Sequence, residues 1–358
     1  MNRRTSPTRR GHKIFDSRFP LCDSRSCECR RLRSPRFPSR FTHHRHFFRN
    51  ARHRLPPMKL PRRTFLRNSA LGLGGALLSV RTRAAAPAPA QRCDPYGTVR
   101  LGRSPLRVSR FCLGTGMRGG KRESNHTRMG RGKLEALIRG AHERGVRMYD
   151  LADLYGTHPY VVSALHDIPR DRYQIVTKIW FRPGGIPEAE RPDADAVVAR
   201  FLRELKTDYI DLLLMHCVVS AKWPEELARQ MEMIAKLKEK GVVRAHGVSC
   251  HSLVALEAAA TEPWVDSVHA RINPFGMSMD GPPEKVAPVL QRLRAAGKGV
   301  VGMKIVGEGR LRNEPEKRSE SVRYALGLGC VDVLNVGCES TEEIDDLATR
   351  MREVPEPA

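Results

Sequence analysis

The stretch MYDLADLYGTHPY, residues 148–160, ends an apolar run on an acid, Asp150, and adds a phenol, Tyr155, five residues later, just before Gly156. The first residues have strand character and the last have turn chemistry, so both polar groups stand where a strand gives way to a loop. This run is one of eight of strand length: FCLGTG (111–116), RMYDLA (147–152), YQIVTKIW (173–180), YIDLLLMH (209–216), AHGVSCH (245–251), SVHARIN (267–273), GVVGMKIVG (299–307) and VDVLNVG (331–337). Between and after them lie segments of helical period. In ADAVVARFLRELK, for example, Val198, Phe201, Leu202 and Leu205 fall on one face. Several of these segments end at Gly, as a helix C-terminus prefers. Eight strands alternating with eight helices over roughly 250 residues predict an α/β fold, a (β/α)8 TIM barrel. TVRLGRSPLRVSR, ahead of the first run, predicts an N-terminal β-hairpin. A doubly wound sheet is the alternative, but no G-x-G-x-x-G follows the first strand.

A barrel carries its active site where strands end and βα loops begin. Asp150 ends the second run, Tyr155 follows in its loop, Lys178 ends the third and His216 ends the fourth. Ser249 and Asn273 end the fifth and sixth, and Lys304 lies within the seventh. Each alone has an ordinary structural role. Together an acid, a cation, an imidazole and a phenol converge on one rim. An ammonium near a phenol lowers its pKa, and a carboxylate can hold that ammonium in place. An imidazole beside them can orient a substrate oxygen. Such a set suits a carbonyl that gains negative charge on oxygen and must be protonated. No side chain there supplies hydride, so a cofactor must.

With these residues in place, the chain resembles the aldo-keto reductases over residues 97–351. The matching stretches are FCLGTG, MYDLADLYG, IVTKIW, TDYIDLLLMH, KGVVRAHGVS and GVVGMKIVGEG. The resemblance implies a catalytic tetrad of Asp150, Tyr155, Lys178 and His216, with Tyr155 as general acid in reduction and general base in oxidation. It implies NADPH or NADH laid across the barrel mouth, with Ser249 and Asn273 at the carboxamide. Lys304, Gly307 and Gly309 fall along the rest of the cofactor path, the glycines letting backbone amides approach the pyrophosphate. The family's usual asparagine after the serine is Cys250 here. Many members carry a lysine and an arginine after the last strand for the 2′-phosphate, where this chain reads NVGCESTEEIDDLA. Its carboxylates suit a free ribose better than a phosphate, so both nucleotides stay open. The implied substrate is an aldehyde, ketone or sugar. Short loops suggest an open cleft lined by Trp180, Phe181 and Trp223. A catalytically weak reductase-like binding or subunit protein is the alternative.

The front of the chain is read separately. The whole sequence carries 63 Lys and Arg against 39 Asp and Glu, net +24. Residues 1–57 hold 16 basic residues and 3 acids, and residues 58–92 hold seven and none, leaving +4 for the rest. The excess therefore gives no reason to expect nucleic acid as a partner of the barrel. Residues 1–57 show no apolar period and predict a disordered basic segment. An alternative, preferred here, is that translation starts at Met58, because residues 58–90 read as a twin-arginine signal peptide. Arg62 and Arg63 precede Phe65 and Leu66, an apolar run spans Ala70 to Val80, and small residues follow. That run is too short to span a bilayer, so no stable membrane anchor is expected. The Tat export machinery becomes a partner, the location periplasmic or extracellular, and residues 91–358 the folded barrel. Six cysteines are scattered through the barrel without C-x-x-C pairs. They predict free thiols and no metal site.

Overall fold

The computed structural model describes residues 91–356. The basic segment 1–57 and the signal-like segment 58–90 lie outside the described residues. Eight strands close into a parallel barrel in the order β10, β3, β4, β5, β6, β7, β8, β9. They are β3 (Phe111–Gly114), β4 (Met148–Asp150), β5 (Gln174–Ile179), β6 (Ile210–Val218), β7 (Val243–Cys250), β8 (Ser267–Arg271), β9 (Gly299–Met303) and β10 (Val333–Val336). Two short strands, β1 (Thr98–Arg100) and β2 (Arg107–Ser109), form the expected hairpin.

Alternation along each strand sorts the core into two. Phe111, Leu113, Tyr149, Ile175, Leu213 and Val248 face outward, into the layer shared with the helices. Cys112, Met148, Val176, Leu212, Leu214, Ala245, Val301 and Val333 face the barrel interior, where Leu101, Leu106 and Val108 of the hairpin join them. The hairpin thus plugs the end of the barrel remote from the strand C-termini. Burying each such aliphatic side chain is worth about 1.5–3 kcal/mol. The same period of two carries the interior set one layer upward: Met148 leads to Asp150, Val176 to Lys178 and Leu214 to His216. A dry plug below therefore fixes the height at which the polar layer begins.

The eight principal helices follow the expected alternation, with two departures. The segment expected as one helix over 225–241 is divided into Trp223–Glu226 and Ala228–Glu239, because Leu227 leaves helical geometry at φ −112°, ψ 12°. The seventh strand was expected over 299–307 but stops at Met303. Lys304 turns left-handed at φ 62°, and Gly307–Glu308–Gly309 forms a 3-10 turn. Apolar character in KIVG marks a packed turn there. Among the described residues no helix is long and apolar enough to cross a membrane. Cys93, Cys112, Cys217, Cys250, Cys330 and Cys338 are free thiols, all buried except the half-buried Cys217.

Candidate active site

Asp150 and Lys178 form the buried centre of the site. Lys178 donates from Nζ to Asp150 Oδ1 at 2.5 Å and to the Leu151 carbonyl at 2.8 Å. Asp150 Oδ2 accepts from Asn335 Nδ2 at 2.8 Å, and His269 Nε2 lies 3.4 Å from Oδ1. Burial opposes the charge on Asp150, but Lys178 and His269 outweigh it and hold the carboxyl well below the usual range. Asn335 and His269 were not singled out in the sequence. The period of two could have found them, since they lie two residues beyond Val333 and Ser267 on interior faces.

Tyr155 ends a 3-10 turn, Asp153–Tyr155, that follows β4. Asp153 anchors this turn by pairing with Arg122 at 3.0 Å and with Arg200. The phenol ring rests against a glycine strip. A Cβ on Gly116 would meet the ring at 2.2 Å and one on Gly119 would meet it at 2.7 Å, so GTGMRGG makes room for the tyrosine. Its hydroxyl lies 3.2 Å from His216 Nε2, and Lys178 Nζ sits 4.8 Å from the ring centroid. The ammonium spends its hydrogen bonds on Asp150 and Leu151 and meets the face of the ring. Burial and the charge on Asp150 therefore push the Tyr155 hydroxyl well above its usual pKa, opposite to the lowering expected from the lysine. In this arrangement the phenol holds its proton.

His216 is buried at the end of β6. Burial and Lys178 push its pKa well below the ordinary histidine value, so the ring is neutral. Trp180 stands edge-on to it at 5.3 Å between centroids. The register between β6 and β7 shifts between Met215 and Val218, and Cys217 is left-handed at φ 65°. Its N–H donates to Ser249 Oγ at 2.9 Å, tying two expected site residues, His216 and Ser249, into one rim. Trp180 lines this rim. Trp223 does not: it is 1% exposed, and its indole N–H donates to the Ala255 carbonyl in the core. Phe181 packs against the outer core.

The expected cofactor residues divide into two kinds. Ser249 accepts from Cys217 and still has its own hydroxyl proton to give. Asn273 is fully buried, and its amide is spent on backbone: Nδ2 donates to Met277 and Lys304 carbonyls, and Oδ1 accepts from the Phe275 and Met277 N–H groups. Here it organises the loop after β8. Lys304 Nζ pairs with Glu308 at 2.6 Å. Gly307 and Gly309 are left-handed at φ 59° and 86°, as the turn after β9 requires. Cys250 is buried, and burial pushes its thiol far up, leaving it inert.

Two adjoining cavities, about 780 and 530 Å³ with their open mouths, share Met117, Val306, Gly309, Val336 and Gly337. One reaches Asp150 and Tyr155, and the other ends at Arg312, Arg318 and Arg350. Together they run from the phenol to a polar end. At that end every arginine is matched by acid: Arg312 by Glu339 and Glu343, Arg318 by Asp346 at 3.2 Å, and Arg350 by Asp346 at 2.7 Å. Among the described residues no group of three or more His, Cys, Asp or Glu is placed to hold a metal ion.

The fold is matched by comparison with known proteins. The family model for the aldo/keto reductase family covers residues 110–350, and the chain belongs to that family. It is 27% identical over 260 residues to aldo-keto reductase AFTS1 of Alternaria alternata, covering 64% of this chain and 70% of that protein. It is also 27% identical over 140 residues to methylglyoxal reductase DkgB of Salmonella typhimurium, covering 37% of this chain and 48%, about half, of that one. The holo form of an aldo-keto reductase from Bacillus halodurans superposes with a TM-score of 0.57 at 22% identity, over 72% of this chain and 91% of that one. The chain is thus an oxidoreductase by family.

Proposed function

We propose that the protein reduces carbonyl compounds to alcohols, and runs the reverse reaction, with NADH or NADPH, Tyr155 being the general acid and base. The observation that carries this is the position of Tyr155, its hydroxyl 3.2 Å from the neutral His216 and its ring centroid 4.8 Å from the Nζ of a lysine pinned by Asp150. His216 orients the substrate oxygen, and Tyr155 delivers a proton to it as negative charge develops. As that charge leaves the phenolate to be stabilised, the nearby ammonium favours the ionised form. When bound, the nicotinamide supplies the hydride. Ser249 would hold its carboxamide, and the groove past Gly309 would take the rest.

The matched arginines at the far end of the groove support NADH over NADPH. A 2′-phosphate would have to compete with Glu339 and Glu343 for Arg312, whereas a ribose diol can donate to those carboxylates. The paired arginines at 62 and 63 and the apolar run after them support export by the twin-arginine route to a periplasmic or extracellular location. A natural N-terminus near Ala86 or Ala90, read by mass spectrometry, checks that part. For the chemistry, nucleotide fluorescence titration and absorbance at 340 nm with a panel of aldehydes, ketones and sugars form the test. Tyr155→Phe should lower kcat about 10²–10⁴-fold with nucleotide affinity unchanged. Unaltered turnover would remove Tyr155 from this role, and no binding of either nucleotide would sink the enzyme reading.

A further inference from the structure

Beside the proton-transfer site lies a second polar group that the tetrad does not use. His251, just after β7, faces His216 edge-on with ring centroids 6.4 Å apart. Its Nδ1 receives Arg271 Nη2, and the Cys217 thiol lies 2.9 Å from the same nitrogen. A guanidinium can only donate and is always charged. Nδ1 must therefore be the acceptor, and the ring proton sits on Nε2. Burial and Arg271 push the His251 pKa down to about 2, which keeps the imidazole in that single neutral form. Arg271 is itself steadied by Asp280, whose side chain is 2% exposed and lies 3.1 Å from Nη1.

The two rings differ in which nitrogen is free. Nδ1 of His216 is sealed in without a partner, whereas in His251 Arg271 and Cys217 both engage Nδ1 and leave Nε2 as the nitrogen with a proton to give. On the neighbouring wall Arg182 lies 5.9 Å from the Trp180 ring centroid and 3.4 Å from the Cys217 carbonyl. Arg182 therefore places a cation beside Trp180 and next to the Cys217 that contacts His251.

We infer that His251 Nε2–H is a fixed substrate-binding donor, and that it selects carbonyl compounds carrying a second oxygen on the carbon next to the reacting one. Hydroxyaldehydes, open-chain sugars and α-dicarbonyls share that chemistry. The inference rests on the carbonyl-reductase reading above. While His216 and Tyr155 engage the reacting oxygen, the neighbouring oxygen accepts from His251. A simple alkyl aldehyde leaves that donor without a partner, and an unpaired donor in a partly buried site disfavours the complex.

Steady-state kinetics of the full chain with butanal, glycolaldehyde and methylglyoxal test this. The wild-type protein should favour the two oxygenated substrates in kcat/KM. His251→Phe, which keeps the ring and removes the donor, should raise KM for both by about five- to ten-fold, the worth of one hydrogen bond, and leave butanal unchanged. His251→Gln, which restores an N–H, should recover part of the loss. Arg271→Met, which frees the tautomer, should move the constants in the same direction as His251→Phe. Equal effects of His251→Phe on all three substrates, or none on any, would overturn the inference while leaving the reductase reading intact. Failure of the wild-type protein to turn over any carbonyl would instead remove the reading on which the inference stands.

Discussion

Replacing Lys178 by methionine would test the central ion pair. The side chains of Lys178 and Asp150 are 1% and 5% exposed, and Nζ is 2.5 Å from Oδ1. Methionine fills similar space but leaves a buried carboxylate whose remaining polar contacts are Asn335 and His269. Breaking a buried pair in this way costs about 3–5 kcal/mol. At about 2–4 °C per kcal/mol for a domain approaching this size, the melting temperature at pH 7.5 should fall by ~6–20 °C. The pH dependence fixes the cause. In the wild-type protein Asp150 lies well below its unfolded value, so the stability it contributes is present above that value and lost only as pH falls through the folded pKa. In the variant, burial dominates and raises the folded pKa above the unfolded one. The deficit relative to wild type should then be smallest at acid pH and grow as pH rises through the raised pKa. Thermal unfolding followed by circular dichroism at pH 5 and 7.5 measures both effects. Asp150→Asn combined with Lys178→Met removes the stranded charge and should recover much of the loss. A single variant melting within about 2 °C of wild type at pH 7.5, or a double variant no better than the single, would refute the reasoning.

Two further predictions concern the phenol and the imidazole. Gly116→Ala places a methyl 2.2 Å from Tyr155 ring carbons and should cut kcat by displacing the ring, with nucleotide binding by fluorescence largely kept; wild-type kcat would show that the strip can yield. Because burial and Lys178 hold His216 neutral, kcat should show no inflection from it at the ordinary histidine pKa; an acidic limb there that His216→Asn abolishes would refute the neutral assignment.

The barrel was legible because apolar runs and helical segments alternate eight times, and Asp150, Tyr155, Lys178 and His216 were legible because strand ends converge in such a fold. Boundaries were less so where backbone conformation opposes composition. Lys304 and Leu227 interrupt apolar stretches by left-handed or non-helical geometry that their residue types do not announce. Trp223 looked like a cleft aromatic, yet its N–H finds a carbonyl inside the core. Asn273 looked free to bind, but four local hydrogen bonds use its amide. The Asp280, Arg271 and His251 chain was not legible at all. Its members come from the loop after β8, from β8 itself and from beyond β7, and their spacing matches no motif.

The register shift at the end of β6 has its own consequence. A regular strand turns consecutive side chains to opposite faces. Here the left-handed Cys217 lets its thiol approach His251 while His216, its immediate neighbour, approaches Tyr155. Two adjacent residues therefore reach two different partners from one strand end, the first Tyr155 and the second His251. On the inferred role of His251, position 217 is thus a place where the range of accepted molecules can be retuned, by nature or by design, without displacing the imidazole beside it.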